Sequence, residues 1–145
     1  IDEEQSPKKY INEIEMLKPL FKPTFKLGTI ITSRLEKHRL ITKKWLEKHN
    51  FYYEKLIMLK SDSNKRKKYS LHASFKASNY LISNSKLFIE SDKNQAIEIN
   101  KLTGKGVFCT ENGVFYNERG FYSIKKNTRH FLRFLRYHFL RIFNS

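Results

Sequence analysis

Two short runs place chemistry-bearing residues directly after apolar segments. Thr32, Ser33 and Arg34 follow Leu27-Gly28-Thr29-Ile30-Ile31, and Glu90, Ser91 and Asp92 follow Leu87-Phe88-Ile89. In open parallel sheets, ligands gather beyond the carboxyl ends of strands, so a site is expected at these positions. A hydroxyl beside a helix N-terminus can bind phosphate, and two carboxylates one residue apart can hold Mg²⁺. Plain helix capping also accounts for the same residues, because Ser33 and Asp92 would each precede a helix.

The elements that would carry these residues alternate between strand and helix. Pro7 opens an amphipathic helix over residues 8–18, with Tyr10, Ile11, Ile14 and Leu17 at helical spacing, and Pro19 ends it. Residues 27–32 read as a strand covered on both faces. Ser33 then caps a helix over residues 34–49, with Leu35, Leu40, Ile41, Trp45 and Leu46 inward and Asn50 as its stop. A strand at residues 55–59, a loop at 60–70, a helix at 71–82 and a strand at 86–90 follow. A helix at 93–102 turns Ala96, Ile97 and Ile99 inward and closes at Gly104, before a last strand at 106–109. Residues 110–123 show no period and read as irregular. The pattern predicts an α/β fold, a Rossmann-like parallel sheet with helices on both faces. The four strands should share one sheet, with Thr32, Glu90 and Asp92 converging at one edge.

Composition narrows the class. The chain has 145 residues, 39% of them hydrophobic, which suits one domain with a core. No segment approaches the roughly 18 to 20 apolar residues of a membrane-spanning helix, and the acidic start lacks signal-peptide features, so the chain reads as cytoplasmic. The lone Cys109 forms no internal disulfide and reads as core. Lys and Arg number 29 against 14 Asp and Glu, a net charge of +15. Abundant Lys, Asn, Ile, Tyr and Phe are also what an A+T-rich coding sequence would produce. The distribution is more telling: the charge concentrates in residues 60–68 and 125–145.

The order and spacing of several motifs resemble the haloacid dehalogenase-like superfamily. They are Gly28-Thr29-Ile30-Ile31-Thr32-Ser33-Arg34, then Arg39, Thr42, Trp45-Leu46, His49 and residues 53–58, then Leu87-Phe88-Ile89-Glu90-Ser91-Asp92 with Gln95-Ala96. The likeness covers residues 19–109 and is similar, more narrowly, to the C-terminal region of some bacterial phosphoribosyltransferase-like proteins. It implies a Mg²⁺-dependent phosphatase or phosphoryl-transfer protein acting on a phosphorylated small molecule. Thr32 would bind the transferring phosphoryl group, and Glu90 and Asp92 would stand where the family holds Mg²⁺. Lys76, or failing that Lys68, would neutralise nucleophile and phosphate. One departure stands out. The family's nucleophile is the first Asp of an Asp-x-Asp motif ending an apolar first strand that lies centrally in the sheet, and no such motif occurs in these residues. The expectation is therefore a partial domain over residues 1–124, begun just after its first strand, or a degenerate one serving as a noncatalytic binding or regulatory domain.

Residues 125–145 form a separate basic tail. On a helical projection Phe131, Leu132, Phe134, Leu135, Phe139, Ile142 and Phe143 share one arc, with Arg129, Arg133 and Arg136 opposite. Such an amphipathic helix suits docking on the domain, a partner protein or an anionic membrane surface. Nucleic acid is disfavoured, because the aromatic residues lie away from the arginines. The five histidines show no metal-binding spacing, and Gly104-Lys105-Gly106 is too short for a phosphate loop.

Overall fold

A computed structural model describes residues 7–20, 22–62, 65, 71–117 and 120–123. The basic tail, Lys68 and most of the 60–70 loop lie outside the described residues. The chain divides into two compact units, Ile1–Phe75 and Lys76–Ser145.

In the first unit, helix α1 (Pro7–Met16) packs against helix α2 (Arg39–Lys48). Ile14 is buried, Tyr10 sets its ring 5.1 Å from that of His38, and Trp45 Nε1 donates to the Leu17 carbonyl at 2.7 Å. Leu17 is itself exposed. Strand β1 (Leu27–Leu35) pairs in parallel with strand β2 (Tyr53–Leu59), with Thr32 opposite Met58. The expected helix forms but begins later than Arg34, at Arg39. After Thr32 the strand bulges, resumes pairing at Leu35 and buries that side chain completely, and a 3₁₀ turn (Glu36–His38) precedes α2. Ser33 therefore belongs to the bulge and caps no helix. The buried side of this segment also differs: Leu40 is exposed, whereas His38 and Thr42 join Leu46 inside. Two hydrogen bonds make this tolerable for polar groups, with Thr42 Oγ1 donating to His38 O at 2.9 Å and accepting from Arg34 at 3.1 Å. Asn50, at φ 55°, ends the helical stretch as expected.

Helix α3 (Leu71–Leu81) leads into the second unit, a four-stranded sheet in the order β3 (Leu87–Glu90), β4 (Gly106–Cys109), β5 (Val114–Asn117), β6 (Gly120–Ser123). Strands β3 and β4 are parallel, and β5 and β6 add in antiparallel sense. Residues 110–123, expected to be irregular, thus contain a β-meander. Helix α4 (Lys93–Thr103) crosses between the parallel pair, buries Ala96 and Ile99 and stops at Gly104, whose φ of 65° suits a residue without a Cβ. Val107, Phe108 and Cys109 join the core here, with Ala77, Tyr80 and Tyr116.

The molecule is mixed α/β. Among the described residues the strands form two hydrogen-bonded sheets, β1-β2 and β3-β4-β5-β6, in place of the single parallel sheet expected from the sequence. The correction has a physical source: alternation of elements specifies parallel pairs through their crossovers, but not how many pairs are joined. Among the described residues no helix is long and apolar enough to cross a membrane.

Gly28 is the weak point of β1, because it spends backbone entropy and packs nothing. A Cβ there meets no atom within 4 Å. Gly28→Val should therefore raise the unfolding free energy by about 0.5–1 kcal/mol, measured by urea denaturation.

Candidate functional site

The carboxyl end of β3 gathers most of the candidate residues. Glu90 is buried, with a side chain 6% exposed, because the strand ends against α4 and α3 supplies its partner. Lys76 Nζ, 12% exposed, donates to Glu90 Oε2 at 2.5 Å and to Gln95 Oε1 at 2.9 Å. The other carboxylate oxygen accepts the backbone N–H groups of Ser91 and Asp92 at 2.9 and 3.2 Å. A buried charge needs a partner of this kind, and here the partner is the lysine that the resemblance selects.

Asp92 has a different task. It sits in an extended conformation ahead of α4, and its Oδ1 accepts the Gln95 N–H at 2.8 Å, as an N-cap does. Glu111 Oε2 accepts the Lys93 N–H at 2.9 Å, so two carboxylates serve the same helix N-terminus. Cys109, fully buried, places Sγ 4.0 Å from the Ser91 carbonyl and behaves as core.

Thr32 lies in the first unit, half-buried in β1, and its Oγ1 accepts the Arg34 N–H at 3.2 Å. That bond shapes the bulge. The next residue, Ser33, holds His72 of α3 through an Oγ to Nδ1 hydrogen bond of 2.8 Å. Sequence reasoning missed this pair, and a separation of 39 residues leaves no local signal that could reveal it. Below it, Arg39 forms a bidentate pair with Glu36 and reaches the Leu56 carbonyl. The guanidinium holds the Glu36 carboxyl below its ordinary range, chiefly through the hydrogen bond.

Two carboxylates of hard oxygen character suit Mg²⁺, which commonly takes one or two and fills its octahedron with water and phosphate. Of this pair, Asp92 keeps a carboxylate oxygen outside the hydrogen bonds described above, whereas both Glu90 oxygens are engaged. Among the described residues, no three His, Cys, Asp or Glu side chains form a metal-holding group. A cavity of about 450 Å³, lined by Asn12, Glu15, Met16, Lys18, Lys48 and His49, shares no residue with these candidates.

No family model matches the chain, and neither a curated protein nor a solved structure matches it.

Proposed function

We propose that the chain is a partial haloacid dehalogenase-like domain of a Mg²⁺-dependent phosphatase or phosphoryl-transfer protein. The observation that carries this reading is the contact of Lys76 with Glu90, two residues the resemblance selected from separate motifs.

In this reading the Lys76 ammonium offsets the charge of the phosphoryl group. Glu90 fixes Lys76, with Gln95 as a second anchor, so the ammonium is already oriented before substrate arrives. Asp92 would hold Mg²⁺ through its remaining oxygen. When bound, the metal supplies Lewis-acid polarisation of the phosphoryl group. None of these residues is assigned as the nucleophile, because they contain no Asp-x-Asp motif and a metal-binding carboxylate does not itself provide an aligned attacking group.

The 145-residue chain should therefore leave p-nitrophenyl phosphate intact in the presence of Mg²⁺, while Mg²⁺ shifts the amide resonances of Ser91 to Gln95 and Asp92→Asn removes those shifts. Hydrolysis that Asp92→Asn abolishes would show that the chain contains its own nucleophile. A second reading, a noncatalytic binding or regulatory domain, is favoured by the engagement of both Glu90 oxygens in hydrogen bonds within the chain. Unmoved amides under Mg²⁺ would select it.

A further inference from the structure

We propose that Asn112-Gly113 is a self-modification site, a deamidation point that the folded β4-β5 hairpin holds shut and that reacts when the hairpin opens. The proposal is independent of the phosphatase reading.

The chemistry needs only water. The Gly113 backbone nitrogen, giving up its proton to base, attacks Cγ of the Asn112 side chain. The Cγ–Nδ2 bond breaks, a proton returns to the departing nitrogen as ammonia, and a cyclic imide remains. Water then opens the imide at one of its two C–N bonds. Opening at Cγ gives aspartate, whereas opening at the main-chain carbonyl carbon gives isoaspartate, with the backbone rerouted through the side chain. Either product replaces a neutral amide by a carboxylate. A glycine in the second position favours the attack, because no Cβ crowds the approaching nitrogen. Of the 11 asparagines in the chain, Asn112 alone precedes glycine.

The turn itself demands this reactive dipeptide. Gly113 has a φ of 67°, a left-handed conformation that a residue without a Cβ adopts most easily. The same turn then restrains each group the reaction uses. The Gly113 N–H donates to the Cys109 carbonyl at 3.0 Å, and Cys109 pairs with Val114 across the loop of residues 110–113. Asn112 Oδ1 accepts the Val114 N–H at 3.1 Å, while Nδ2 donates to the hydroxyl of Tyr116, a residue 4% exposed. Attack requires the nitrogen to lose a proton that is hydrogen-bonded and the amide to turn while both of its ends are held. These bonds are released together when the loop and the start of β5 come away from β4.

Conversion also opposes reclosure. Isoaspartate lengthens the loop backbone by one methylene and removes the donor to Tyr116. Its new carboxylate follows Glu111, which already accepts the Lys93 N–H at the start of α4. Thr110, at the other end of the loop, donates its N–H to the Glu90 carbonyl at 2.9 Å. The loop is therefore tied to both β3 and α4, and its distortion reaches the body of the second unit. A chain that has opened for long enough is marked by the reaction and refolds to a less stable state.

The full chain, incubated in mildly alkaline buffer across a guanidinium chloride series, is digested at intervals and read by mass spectrometry. Asn112 should convert first among the asparagines in denaturant, and at least about tenfold more slowly in native buffer. Its rate should rise with denaturant through the unfolding transition. After incubation in denaturant and refolding, the wild type should unfold at lower guanidinium than before, whereas Asn112→Gln should regain its own original curve. A rate that is the same in native buffer and denaturant overturns the proposal. So does faster conversion of another asparagine in denaturant, or an equal loss of stability in Asn112→Gln.

Discussion

Replacing Lys76 by Met should cost about 3 kcal/mol of unfolding free energy, while Lys76→Met combined with Glu90→Gln should cost only about 1 kcal/mol. The single substitution strips the cation from a carboxylate that is 6% exposed, leaving a buried charge held only by two backbone N–H groups and the Ser91 hydroxyl. Neutralising Glu90 as well removes the charge but keeps an amide oxygen to accept the Ser91 and Asp92 N–H groups. Asp92 continues to cap α4 in both variants. A solvent-exposed pair would behave differently, with each single change costing under about 1 kcal/mol and the two adding. Urea denaturation of the wild type, both single variants and the double variant separates the cases through the coupling term. An additive cycle would mean that the Lys76 to Glu90 contact is not a buried pair in solution.

How much of this was legible in the sequence depends on how local the signal was. Asp92 before a helical period and Gly104 after it mark both ends of α4, because caps are written in residues next to the helix they serve. Glu90 is marked by its place after an apolar strand and Lys76 by the resemblance alone, since nothing in periodicity links a helix residue to a strand end 14 positions on. Ser33 was misplaced because a hydroxyl before an apolar-periodic stretch reads as a cap, whereas the strand in fact bulges and buries Leu35 first. The β4-β5 turn did carry a signal that went unused. Asn112-Gly113 is a strong hairpin dipeptide, and Gly113 takes a φ of 67°. The Asn112 side chain accepts the Val114 N–H at 3.1 Å, which completes the turn. Strands of four residues, rich in aromatics, gave too short a window for a period of two to stand out. Division of the strands into two sheets had no local signal, because backbone pairing between distant strands leaves no mark on either sequence.

Tyr80 should dominate the alkaline stability of the second unit. Its side chain is fully buried, its hydroxyl donates to the Gly106 carbonyl at 2.8 Å, and its ring lies 5.3 Å from that of Phe88. Lys105 covers the same ring, with Nζ 4.1 Å from its centre, and donates to the carbonyls of Tyr80 and Ser83. Tyr80→Ala should cost about 3–5 kcal/mol through the cavity it leaves. Tyr80→Phe should cost about 1–2 kcal/mol near neutrality, because it leaves the Gly106 carbonyl without its donor. Burial pushes the Tyr80 phenol well above its ordinary 10.0. The unfolded chain therefore releases this proton first, and the stabilisation from neutral Tyr80, complete below pH 10, is lost as pH rises beyond it. The loss should approach about 1.4 kcal/mol per pH unit. Desolvation lowers the Lys105 amine below 10.5, which works in the opposite sense by disfavouring the folded state until the amine deprotonates. Tyr80→Phe retains Lys105 and every other tyrosine, so the difference between wild type and variant isolates the phenol. That difference should shrink above pH 10 and reverse by about pH 11 to 12, once the accumulated loss exceeds the value of one hydrogen bond. A difference that stays constant across this range in urea titrations would place the Tyr80 hydroxyl in water, free to ionise in the folded state.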